Sequence, residues 1–256
     1  MGIIVRIVAI IQARMSSSRL PGKVLLPLAG KSVLSHIIDR LANAKLVTNI
    51  LVATSEDRTD DPIAEFCSTH CIEVFRGSLS DVLDRFYNAA KNVKADVVVR
   101  ITADCPMIDP VIVDAVITGF LSGNYDLYGL AGEFPDGLDC TAISFNALKK
   151  AWKNAKLKSE REHVCPYIEN NGSLFSVGGL YLFENLGHLR WTLDETCDYE
   201  LLKNIFDNLY NSSTLFHTHD VLCFLKNNQE LLALNSSIVR NEGYIKSLKK
   251  ERLSHD

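Results

Sequence analysis

The chain has 256 residues, of which 47% are hydrophobic and 23% charged, with a formal charge of −4. That is ordinary globular composition with ample material for a core, at a length between one large α/β domain and two average ones. The charge excludes a global basic field that would draw the protein to nucleic acid or an anionic membrane, so any polyanion site must be local.

In chain order, VRIVAIIQ (5–12) reads as a buried strand. The loop after it carries Arg14, Arg19 and Lys23 among three serines, a proline and a glycine. Ser32 is placed to cap a helix through SVLSHIIDRLANA, where Val33, Leu34, Ile37, Ile38 and Leu41 recur at helical spacing. NILVATS is a second strand, and Asp61-Pro62 opens a helix to about His70, the proline at its favoured first position. IEVFR, SDVLDRFYNAAKNV, DVVVRIT and PVIVDAVITGFL continue the alternation as strand, helix, strand and helix. After residue 123 the rhythm changes. YDLYGL and LDCTAISF read as strands joined by the turn-rich AGEFPDG, with helices expected at 145–158 and 160–170. A strand in LRWTL, a helix in DYELLKNIFDNLY and a tail of loop and amphipathic helix from residue 235 follow.

Apolar strands alternating with helices imply a mostly parallel sheet covered on both faces. Ligands in such sheets sit outside the carboxyl ends of strands, where strand order reverses. The loop after the first strand and TADCP after the fourth both lie at carboxyl ends, so the topology predicts that they share one cleft.

The first loop is not an ordinary P-loop. Gly30-Lys31-Ser32 needs a glycine where Leu25 stands, and Gly22-Lys23 needs one where Ser17 stands. What remains is a loop of small residues whose backbone N–H groups can approach an anion closely. It also carries arginines suited to bidentate phosphate contact and a lysine acting as a point charge. Asp104, at a strand's carboxyl end, is placed to hold Mg²⁺, which takes one or two carboxylates plus phosphate oxygens and water. Asp194 ends the LRWTL segment and offers a second carboxylate from a distant part of the chain, although a turn aspartate is the plainer reading on spacing alone. Asp109 before Pro110, and Asp198, read as helix caps. The aspartates of PDGLD (Asp136, Asp139) serve a turn or a ligand, and EREHV (160–164) clusters charge with an imidazole. CSTHC (67–71) has metal-like residue types but no second pair at suitable spacing. Seven scattered cysteines and no secretory leader fit reduced thiols in a cytoplasmic protein. No apolar run approaches the ~18 residues of a membrane span.

AIIQARMSSSRLPGKVLLPLAGKSVLSHIIDRL resembles the opening of the cytidylyltransferases that activate 3-deoxy-manno-octulosonate and N-acylneuraminate, with their Ala-Arg-x-x-Ser-x-Arg-Leu-Pro-Gly-Lys signature. A closer resemblance is to the group called spore coat polysaccharide biosynthesis protein F. It continues through FRGSLSDVLDRFYNAA, VVRITADCPMIDP, PDGLD, EREHVCPYI and NEGY, nearly the whole chain. The likeness implies a Rossmann-like nucleotide-diphospho-sugar transferase (GT-A-like) α/β fold in a single domain. A nucleotide half would run to about 122, an acceptor half over about 123–215, and a helical tail over 216–256. It implies Mg²⁺ on Asp104 and Asp194, and a triphosphate on Arg14, Ser17, Arg19 and Lys23. Arg14, Lys23 and Asp104 would be catalytic, and Ala13, Thr54, Arg76, Gly77, Ser78, Asp81, Thr102 and Ala103 would complete the nucleotide site. Asp136, Asp139, Glu162 and His163 are candidates for the acceptor, with Arg161 as the cation for its carboxylate. The partners implied are CTP, a sugar acceptor and a second copy of the chain. Gln12, and Thr102 to Pro106, depart from the octulosonate enzymes' Pro and Gln-Gly-Asp-Glu-Pro, which leaves the sugar open. The expected reaction is CMP transfer from CTP to a sugar hydroxyl with loss of pyrophosphate. A glycosyltransferase of the same architecture and a non-catalytic nucleotide-binding module are the alternatives.

Overall fold

The computed structural model describes residues 5–253. β1 (Ile7–Gln12) is buried at every position but its last. A 3-10 turn at Lys23–Leu25 and a small hairpin, β2 (Pro27–Leu28) with β3 (Lys31–Ser32), lead into α1 (Val33–Leu41). Ser32 caps α1, its Oγ accepting from Ser35 N at 3.1 Å, an arrangement whose loss costs about 1 kcal/mol. Burial of Val33, Leu34, Ile37 and Leu41 against the sheet contributes roughly 1.5–3 kcal/mol each. Then come β4 (Asn49–Ser55), α2 (Asp61–Thr69), β5 (Glu73–Gly77), α3 (Val82–Asn92), β6 (Val97–Thr102) and α4 (Pro110–Ser122). Asp109 caps α4 through Val111 N at 3.0 Å, as its place before Pro110 predicts.

The second half holds β7 (Leu127–Ala131), β8 (Thr141–Ser144), α5 (Phe145–Asn154), α6 (Lys158–His163), α7 (Pro166–Glu169), β9 (Val177–Tyr181), α8 (Thr196–Leu209), α9 (Thr218–Asn227) and α10 (Glu242–Leu253). Residues 254–256 of the expected tail lie outside the described residues. Among the described residues the main sheet has seven strands in the order β5-β4-β1-β6-β8-β7-β9, and β8 runs antiparallel to its neighbours β6 and β7. Every other pairing in this sheet is parallel. Alternate strand residues feed two cores. Val8, Ile10 and Val98 pack with α3 and α5, while Ala9, Ile11 and Val99 pack with α1, α4 and α8. The chain runs outward from β1 through β4 to β5 and then returns to β6 on the other side of β1. Strand order therefore reverses between β1 and β6, which opens a crevice at their carboxyl ends.

Several expectations need correction. The 145–158 helix stops at Asn154. The 160–170 helix is two short pieces, because Val164 adopts φ 70° and Pro166 starts α7. LRWTL forms no ladder strand. It is extended, but it makes a single bridge, Arg190 to Asp136. Its backbone N–H groups instead reach loop carbonyls, Trp191 N to Asp136 O at 2.6 Å and Leu193 N to Asp104 O at 2.7 Å. Gly137 makes that docking possible, since at φ 106° a Cβ would lie 2.6 Å from the Trp191 carbonyl carbon. Asp198 caps α8 as expected, though from its third residue rather than from the N-cap, which is Glu195: its carboxylate accepts from Asp194 N and Glu195 N, each at 2.9 Å. β9 was not anticipated.

Candidate active site

The strand ends are tied together before any side chain acts. Ala13 N donates to Ala53 O at 3.1 Å and Ala103 N to Gln12 O at 3.0 Å, which binds the exits of β1, β4 and β6 into one floor. The loop after β1 is then folded by its own polar groups. Gly22 N donates to Met15 O at 3.0 Å with Gly22 at φ 71°, and Leu20 N to Ser17 Oγ at 3.2 Å. Buried Asp60 anchors it from outside, accepting from Met15 N at 2.6 Å and from Ser55 N at 3.2 Å.

Over this floor lies a cavity of about 420 Å³. Lys23, only 9% exposed, places Nζ 2.7 Å from Asp104 Oδ2 and 2.7 Å from Asp194 Oδ1. The two carboxylates meet because the 189–194 segment docks on the 104 loop through Leu193 N and, at 3.3 Å, the Thr192 hydroxyl on Asp104 O. Arg19 faces Asp194 at 3.0 Å, Glu195 at 3.4 Å and Glu242 at 2.7 Å. Behind them Arg190 grips Asp198 bidentately at 2.9 and 3.0 Å and reaches Asp136 at 2.9 Å and Asp194 at 3.1 Å. Asn235 closes that network on Asp198 at 2.8 Å.

The electrostatics follow from burial and pairing. Burial works against the Lys23 charge, but attraction and hydrogen bonds from Asp104 and Asp194 hold its ammonium above its ordinary value. Burial likewise disfavours the Asp104 anion, yet Lys23 holds it well below the usual carboxylate range. Asp136 goes the other way, since burial and the neighbouring Asp139 push it up to about 6 despite Arg240 and Arg190. Burial lowers His163, so its imidazole is neutral near pH 7.

Of the residues singled out from sequence, Arg14, Ser17, Arg19, Lys23, Thr102, Ala103, Asp104, Asp136, Asp139, His163 and Asp194 all line this cavity. The others do not. Ala13 and Thr54 are buried beneath it. Arg76 holds Ser55 O at 2.8 Å, Asp57 O at 2.9 Å and Asp61 at 2.7 Å. Gly77 packs on Arg85, Ser78 Oγ accepts from Asp81 N at 3.0 Å, and Asp81 caps α3. Arg161 is committed to Asp81 and to Trp152 O at 2.7 Å, and Glu162 accepts from Ser247 Oγ at 3.2 Å. Sequence reasoning missed Arg100, Arg190, Thr192 and the strap Val239, Asn241–Tyr244, all of which line the cavity. One signal was available for two of them. In LRWTLD the period of two sends Leu189, Trp191 and Leu193 into the core and leaves Arg190, Thr192 and Asp194 facing the cavity.

Residues 8–210 match the family model described as cytidylyltransferase. The chain belongs to the cytidylyltransferase family. It is 41% identical over 244 residues to uncharacterized protein MJ1063 of Methanocaldococcus jannaschii, covering 93% of this chain and 98% of that one. It is 35% identical over 207 residues to spore coat polysaccharide biosynthesis protein SpsF of Bacillus subtilis, covering 78% and 86%. A solved cytidylyltransferase from Leptospira borgpetersenii superposes with a TM-score of 0.85 at 32% identity, over 92% of this chain and all of that one. The architecture is the nucleotide-diphospho-sugar transferase fold, as the strand order and the resemblance both indicated. No helix among the described residues is long and apolar enough to cross a membrane.

Proposed function

We propose that this cytidylyltransferase-family chain transfers CMP from CTP to a hydroxyl of an acidic 2-keto-3-deoxy sugar and releases pyrophosphate, supplying a CMP-sugar for cell-surface polysaccharide or glycan synthesis. The observation that carries the reading is the convergence, on one point at 2.7 Å, of the strand-one loop's lysine with carboxylates from two distant segments. A triphosphate needs such a loop, and its charge needs such carboxylates' counter-ion.

The donor set fits that ion. Two aspartate oxygens facing a single positive charge suit Mg²⁺, whose remaining positions go to phosphate oxygens and water. Among the described residues no group of three His, Cys, Asp or Glu offers a fuller protein cage. Asp104 and Asp194 would hold it. When bound, Mg²⁺ supplies charge to the α-phosphate and lowers the pKa of a coordinated hydroxyl. The rest of the work belongs to the chain. Arg14, Ser17, Arg19 and Lys23 take the β- and γ-phosphates. Their donors gain value as negative charge gathers on the departing pyrophosphate. The acceptor oxygen bonds to the α-phosphorus while the bond to the bridging oxygen breaks, and the hydroxyl proton leaves to water or a basic group. Asp136, Asp139 and His163, on the same cavity wall, orient the acceptor. The same reading makes the working unit a cytoplasmic homodimer, as the family resemblance implies.

The test is pyrophosphate release from each of the four nucleoside triphosphates, with Mg²⁺ and a panel of sugar acceptors. CTP should be preferred, and Asp104→Asn should lower the rate by about 10²–10³. Near wild-type turnover of that variant would reject the metal role, and consumption of a nucleotide-sugar without pyrophosphate would replace the reading with a glycosyltransferase.

A further inference from the structure

The cations lining the cavity are not equivalent. Lys23, Arg19 and Arg190 are all ion-paired with carboxylates of the chain. Arg14 and Arg100 have no hydrogen-bond or ion-pair partner among the described residues. Arg14 belongs to the loop assigned above to phosphate. Arg100 does not. It stands inside β6, with Ile10 of β1 opposite on one side and Thr141 of β8 on the other. It therefore lies on the seam between the expected nucleotide half and the expected acceptor half, to which Asp136 and Asp139 belong. Strand alternation puts it on the same face as Gln12 and Thr102, which also line the cavity. Its Nε is shielded from solvent with no acceptor, and the side-chain oxygen of Gln12 is likewise buried without a donor. Burial raises the Glu169 carboxyl of α7 and Arg100 offsets part of that rise, but no ion pair joins the two. A buried guanidinium nitrogen without a partner is costly, and a fixed planar fork of this kind is matched by a carboxylate.

We propose that Arg100 binds the carboxylate of the sugar acceptor and so selects acidic sugars over neutral ones. The assignment rests on the CMP-transfer reading above and names the residue that reads its second substrate. It replaces Arg161, whose donors are already taken by Asp81 and Trp152. The phosphates are a weaker match, since Arg14, Arg19 and Lys23 already serve them from the loop over the strand ends, while Arg100 stands two residues inside β6.

The experiment assays the full chain with CTP and Mg²⁺ against 3-deoxy-manno-octulosonate, N-acetylneuraminate and shorter 2-keto-3-deoxy acids, beside neutral hexoses and hexose 1-phosphates. The proposal expects release of pyrophosphate with an acid. For that acid, Arg100→Gln should raise KM by about 10- to 100-fold, the loss expected for a charged hydrogen bond. Arg100→Lys should fall between, and the KM for CTP should stay within about twofold in both variants, which also reports an intact fold. An unchanged acid KM in Arg100→Gln overturns the assignment. So does an equal rise in both KM values, the mark of a phosphate or structural role. Release with neutral or phosphorylated sugars alone overturns the carboxylate role while leaving CMP transfer standing. No release with any acceptor removes the activity itself, a different failure.

Discussion

Lys23→Met removes the one positive charge shared by Asp104 and Asp194 while keeping the length of the side chain. Breaking a fully buried pair by deleting one partner costs about 3–5 kcal/mol, and an exposed pair is worth at most about 1. Lys23 is 9% exposed, but the carboxylates are 27% and 22% exposed, so solvent screens part of the repulsion left behind. An intermediate loss of about 2 kcal/mol is expected, which for a chain of this size lowers Tm by about 4–8 °C. The sign of the rescue is the sharper point. In the wild type the lysine already neutralises the carboxylates, so millimolar MgCl₂ without nucleotide should change Tm little. In Lys23→Met the divalent ion takes the lysine's place, and at a hundredfold excess over Kd it should return about 2.7 kcal/mol. Thermal unfolding of both proteins with and without MgCl₂ measures this. Equal Mg²⁺ responses, or a variant as stable as the wild type, would refute the argument that Lys23 holds the place of a cation between two carboxylates.

Asp109 offers a test of the scaffold. Burial disfavours its charge, but hydrogen bonds from Thr218, His217 and Val111 hold its carboxyl below its ordinary 3.8. A depressed folded value means stabilisation that is complete above pH 3.8 and is lost as pH falls through the folded value. Asp109→Asn should therefore cost about 1–3 kcal/mol in denaturant unfolding at pH 7, with the gap to wild type narrowing in acid; a gap independent of pH would contradict this. Glu242→Gln should tighten CTP binding by up to about fivefold in a titration, because phosphate must displace that carboxylate from Arg19 and the pair, about a third exposed, is worth about 0.2–1 kcal/mol. Weaker CTP binding would mean that Glu242 helps to hold the nucleotide.

The strands and helices before residue 123 were legible because each is locally self-consistent. Apolar runs such as Ile7–Ile11 are buried on both faces, and caps such as Ser32 and Asp109 are read one residue at a time. β9 was not legible, since Gly178 and Gly179 carry no pattern. Their meaning is tertiary: a Cβ on Gly179 would lie 2.6 Å from that of Ala131 on β7. The 189–194 segment showed its alternation but not its partners, because its backbone bonds go to loops around Asp104 and Asp136. The first loop and Asp104 could be found from their places at strand ends. Arg161 and Arg100 could not be told apart in that way, for whether a guanidinium is committed or free depends on which carboxylate the fold brings beside it.

The central claim is tested most directly by a crystal structure of the full chain with CTP and Mg²⁺. The account predicts the triphosphate over Arg14, Arg19 and Lys23, with the ion between Asp104 and Asp194. A triphosphate bound elsewhere, or an ion touching neither aspartate, would contradict it.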